Sequence, residues 1–89
     1  MDERSDEAYV GKLIERSRLL IALSDEIPVE TKLETQPLLK ELERLVAVPA
    51  PEQDEERVRS TYALLYTSLA DYADLEALLG AMKNFIHYL

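Results

Sequence analysis

Pro37-Leu38-Leu39-Lys40-Glu41-Leu42-Glu43-Arg44-Leu45-Val46 is the stretch that decides the fold class. Leu38, Leu39, Leu42, Leu45 and Val46 recur at i, i+1, i+4, i+7, i+8, one helical face, while Lys40, Glu41, Glu43 and Arg44 fill the opposite side. A helix puts every third or fourth side chain on one face, so this spacing predicts an amphipathic helix. Val48-Pro49-Ala50-Pro51 ends it, because proline removes a donor and pushes the preceding residue out of the α region. The start carries two signals. Thr31-Lys32-Leu33-Glu34 fits a capping box, whereas Pro37 fits the first position of a helix. The expectation is a short helical turn at 31–35 leading into a main helix at 37–47, with one helix kinked at Pro37 as the alternative.

Working toward the N-terminus, Val10, Leu13, Ile14, Leu20 and Ile21 keep helical spacing, with Ser17 filling the turn between them. Leu19 and Leu23 widen that stripe, and the acids of the first turn complement the helix dipole. This predicts a helix at about 6–23, broken by Ser24-Asp25-Glu26-Ile27-Pro28. Working toward the C-terminus, Pro51 followed by Glu52-Gln53-Asp54-Glu55-Glu56 reads as a helix start. Val58, Tyr62, Leu65 and Leu69 continue it, with Tyr66 beside them, giving a helix at 52–70. Leu75, Leu78, Leu79, Met82, Phe85, Ile86 and Leu89 form a last stripe, for a helix at 74–88. The two stripes are out of phase, since the first would place Glu76 on the apolar face. A break at Asp71–Asp74, capped by aspartate, resolves the conflict. A continuous bent helix over 52–89 is the alternative.

These segments predict an all-α protein, residues 1–89 forming a single helical domain as a small antiparallel bundle of three to four helices. The runner-up is an open three-helix hairpin that completes its core by dimerisation. Eighty-nine residues suffice for one modest core, burying roughly two-thirds of the unfolded surface. Leu13, Ile14, Leu20, Ile21, Leu42, Leu45, Leu65, Leu69, Leu78, Met82 and Phe85 are expected to be buried together.

Composition excludes several functions. Ten basic against eighteen acidic residues give a net charge of −8, which disfavours direct contact with nucleic acid or anionic lipid. The absence of cysteine removes disulfides, thiol catalysis and zinc-thiolate sites. The N-terminus Met1-Asp2-Glu3-Arg4 is acidic where a secretory signal is basic. The longest apolar run, Leu19 to Leu23, is far short of the ~20 residues of a membrane span. Together these point to the cytosol.

No catalytic, cofactor or metal site is expected. The single histidine, His87, has no Glu-x-x-His or His-x-x-x-His partner, and reads as a boundary residue. The carboxylates lie on polar helix faces, where they are solvated. Ser60, Ser68 and His87 form no nucleophile constellation. Gly11-Lys12 lacks the remainder of a phosphate loop, so Gly11 is expected to let helix 1 approach a neighbour closely. Gly80 lies opposite the apolar stripe, where tolerance is the plainer explanation and approach by a partner the functional one.

Tyrosine is the unusual usage: five Tyr against one Phe and no Trp. The bland interpretation puts Tyr62 and Tyr66 at the edge of the core with their hydroxyls in water. The functional one makes Tyr62, Tyr66, Asp71, Tyr72 and Asp74 a partner-binding patch, because tyrosine buries much area with few rotors. The acidic helix starts are explained by dipole compensation, and would also steer a basic partner. Size, acidity and a four-helix layout are loosely similar to the colicin-nuclease immunity proteins. Their Tyr-Tyr-Pro element has no counterpart here, where Tyr66 is followed by Thr67-Ser68-Leu69, so no family is assigned. The expected function is a non-catalytic protein-binding module, such as an inhibitor, immunity protein, adaptor or chaperone, for a protein partner that charge would favour as basic. A self-associating subunit of a larger helical assembly is the alternative.

Overall fold

The polar segment between the first two apolar stripes is a tight turn organised by Ser24. In the computed structural model, which describes residues 3–89 and the side chains from Ala8 onward, α1 spans Glu3–Leu23 and α2 Val29–Val46. The Ser24 hydroxyl accepts from the backbone N–H groups of Glu26 and Ile27 at 3.1 and 3.3 Å. The Lys32 ammonium reaches back to donate to the Ala22 and Ser24 carbonyls at 3.2 and 2.7 Å. A helix C-terminus leaves such carbonyls without donors, and a nearby lysine satisfies both hydrogen bond and dipole. The acidic side chains expected in the first turn of α1 lie outside the described residues.

Helix α2 differs from its expected outline. It is one helix from Val29, not a turn at 31–35 followed by a start at Pro37, and Pro37 lies inside it. Proline at that point removes the donor that would meet the Leu33 carbonyl. Leu33 and Pro37 both lie on the exposed side, so the carbonyl is not stranded in the core. On the buried side, Thr35 keeps its hydroxyl satisfied by donating to the Thr31 carbonyl at 2.7 Å.

The third helix also starts later than its proline suggests. Ala50–Glu52 is a 3₁₀ turn, Gln53 is extended, and α3 spans Glu55–Leu69. Asp54 is the cap, its carboxylate accepting from the Arg57 N–H at 3.2 Å. The expected break after it is present: α4 spans Ala73–Lys83. Aspartate does not cap α4, however. Tyr72 holds the cap position without a side-chain hydrogen bond, and Asp74 lies in the first turn. Beyond Lys83 the chain turns, so the helix expected to reach 88 stops five residues sooner.

The four helices form an antiparallel ring. Each packs on its successor, α2 against α3 most extensively, and α4 returns against α1. Glu41 on α2 meets Arg57 on α3 at 3.2 Å, and Tyr62 on α3 meets Leu79 on α4. The rings of Tyr9 and Phe85, 4.7 Å apart, close α4 onto α1. One chain therefore completes its own four-helix core.

That core contains Leu13, Ile14, Ile21, Leu42, Leu45, Leu65, Leu69 and Met82 as expected. It also takes in Val10, Ile27, Leu39, Val58, Tyr62, Leu75, Leu79 and Ile86. Three expected members sit farther out. Leu20 and Leu78 are only partly buried, and Phe85 is 37% exposed because it lies past the end of α4, with Ile86 turned inward instead. Ser17 is fully buried, its hydroxyl donating to the Leu13 carbonyl at 2.9 Å. A methyl group added at Gly11 would meet nothing within 4 Å, so the expected close approach is absent.

Candidate protein-binding groove

Two segments converge at the end of the bundle that holds the α1–α2 turn. Because α4 runs antiparallel to α1, its first turn lies beside the last turn of α1. Between them is a groove of about 470 Å³. Leu20 and Leu23 come from α1, Asp25 and Glu26 from the turn, and Tyr72, Asp74 and Leu75 from the start of α4. Leu23 is 78% exposed, and Leu75 is buried beneath it in the core. Asp25, Glu26 and Asp74 are exposed. The walls are thus apolar and the rim negative. Among the described residues no group of three or more His, Asp or Glu side chains converges closely enough to hold a metal ion.

The five residues expected to form one patch separate into four environments. Tyr72 and Asp74 line the groove together, with Tyr72 half-buried against the core. Asp71 is exposed in the short connection just before them. Tyr62 is a core residue, only 9% exposed, whose hydroxyl donates to the Leu79 carbonyl at 2.6 Å. Burial, with the neighbouring Tyr66 as a lesser cause, pushes its phenol above the ordinary value. It is not a wet edge residue, and it does not line the groove. Tyr66 stacks on it with ring centroids 6.3 Å apart and is 39% exposed, but it does not line the groove.

Leu20, Leu23, Asp25 and Glu26 complete the groove and escaped the sequence reading. The signal was present: Asp25-Glu26 directly follows an apolar helix end, on the far side of the chain from a second Asp-bearing bend. What the sequence does not carry is the antiparallel pairing of α1 with α4 that sets the two bends side by side.

A second concavity, about 510 Å³, lies at the opposite end, between Val48–Ala50 and the turn after α4. Its polar groups are Gln53, Lys83, Asn84 and His87. His87 is exposed, with its ring edge-on to Tyr88 at 4.7 Å. No helix of the described residues is long and apolar enough to cross a membrane. Compared with family models, curated proteins and solved structures, the chain matches none of them.

Proposed function

We propose that this chain is a small acidic, non-catalytic protein-binding module of the cytosol, and that its groove takes a basic segment of a protein partner. The groove itself carries this reading: Asp25, Glu26 and Asp74 rim a concavity walled by Leu20, Leu23 and Tyr72. Negative rim charges steer a cationic segment toward the site, and burial of tyrosine and leucine then holds it. Inhibitors, immunity proteins, adaptors and chaperones all work through such a contact. The absence of cysteine supports a cytosolic setting.

The test is affinity purification from the host with the parent and an Asp25→Lys/Asp74→Lys variant, followed by calorimetry on the recovered partner. Charge reversal should slow association and flatten its salt dependence, and Tyr72→Ala should weaken binding by about 2 kcal/mol. Tyr66→Ala, off the groove, should bind like the parent. Equal recovery and equal salt dependence with the reversed rim would overturn the assignment.

A further inference from the structure

The outer face of the α1–α2 hairpin leaves four large aliphatic side chains uncovered. Leu19 and Leu23, one turn apart on α1, are 53% and 78% exposed. Val29 and Leu33, one turn apart on α2, are 69% and 71% exposed. The register between the helices is set by the Gln36 side-chain amide donating to the Arg18 carbonyl at 3.0 Å and by Lys32 donating to Ala22. Glu43 and Ala47 lie opposite Ala8 and Gly11, which extends the same register to the far end. That register brings Leu19 and Leu33 to the seam within a turn of each other. Isolated exposed leucines are ordinary, but four large aliphatic side chains on one face mark a contact.

The charges around this face say what covers it. Lys12 precedes Leu19 by seven residues on α1 and Lys40 follows Leu33 by seven on α2, while Glu26 lies in the non-helical turn that joins the two helices. Seven helical residues are two turns, roughly 10 Å, so the leucines lie between a basic end, two turns away along each helix, and the acidic turn. Arg16 reinforces the basic end, and Asp25 and Glu30 the acidic one. All of these side chains are exposed. Among the described residues, none of them makes an ion pair within the chain. Glu43 is also exposed at the basic end, and Glu15 there is paired with Arg18. The face is on balance positive at one end, negative at the other and apolar between, which is complementary to itself after a two-fold rotation.

We propose that this face pairs with the same face of a second copy, antiparallel, with Leu19 and Leu33 at the two-fold axis. Lys12 and Lys40 of one protomer then lie over Glu26 and Glu30 of the other. Four aliphatic side chains from each protomer make a small contact, so the dimer is expected to be weak.

Sedimentation equilibrium over about 10 µM to 1 mM tests it, a range bracketing a contact of this size. The parent should dimerise reversibly, and Leu33→Asp should weaken the dimer about 10-fold or more with unchanged helicity. Neither Leu19 nor Leu33 lines the acidic groove, so loss of dimerisation here leaves that site intact. Lys12→Glu/Lys40→Glu and Glu30→Lys variants, which leave the groove residues unchanged, should each dimerise less than the parent and should associate when mixed. A parent that stays monomeric throughout, a dimer indifferent to Leu33→Asp, or reversed-charge variants that fail to pair would each overturn the proposal. So would a face that captures a different protein without self-association.

Discussion

Tyr62→Phe isolates one hydrogen bond in the tie between α3 and α4. The substitution keeps the ring and its buried area, and removes only the hydroxyl that donates to the Leu79 carbonyl at 2.6 Å. A buried hydrogen bond contributes about 1 kcal/mol net, and a carbonyl left short of a donor adds to the loss, so about 1.5 kcal/mol is expected. For a domain of this length that lowers Tm by roughly 6–12 °C. Urea and thermal denaturation followed by circular dichroism read it directly, with Tyr66→Phe at the exposed neighbour as the control. The same phenol supplies an alkaline signature. Its ionisation is raised by burial above the ordinary 10.0. The unfolded chain therefore loses the proton first, so the stabilisation is fully present below about pH 10 and is lost as pH rises through the folded value. Phenolate absorbance compared between the parent and Tyr62→Phe should show the Tyr62 phenol titrating above the ordinary 10.0 in the folded protein. If Tyr62→Phe melts within about 0.5 kcal/mol of the parent, the hydrogen bond does not act as argued.

Two further substitutions test the core and the helices. Leu79→Ala, at a fully buried position, should cost about 2–5 kcal/mol, and Leu78→Ala, only partly buried, distinctly less; equal losses in urea unfolding would contradict the register of α4. Gly11→Ala and Gly80→Ala fill open space on helices, so each should raise stability by about 0.5–1 kcal/mol in the same assay.

What could be read from the sequence was whatever local periodicity and stop signals control. The end of α1 at Leu23 and the break between Leu69 and Ala73 both follow from such signals, the second from a phase conflict that no proline or glycine marks. The start of α2 was misjudged because Pro37 is costly only if its missing donor strands a buried carbonyl, and burial is a tertiary property. Pro51 misled in the same way: the Asp54 carboxylate, three residues on, supplies the cap that proline cannot. Ser17 and Thr35 interrupt apolar stripes yet are buried, because each returns its hydroxyl to a carbonyl four residues back. Tyr72 and Asp74 were picked out from residue type alone. Their neighbours Leu20, Leu23, Asp25 and Glu26 were not, since they are some fifty residues away in the chain and adjacent only through the pairing of α1 with α4.

The contact between Tyr9 and Phe85 bears on how the order of the chain relates to the order of the bundle. Every other neighbouring pair of helices is joined by a short connection, whereas this pair meets across almost the whole chain. Its formation carries the largest loop-closure entropy, so α4 should dock on α1 late in folding. It also places the two ends of the helical ring side by side, with no helix singled out as first. A linker from the turn after α4 to the start of α1, with a new opening cut between Val48 and Gln53, would give the order α3–α4–α1–α2. That rearranged chain would keep the same core while converting its most distant contact into a local one.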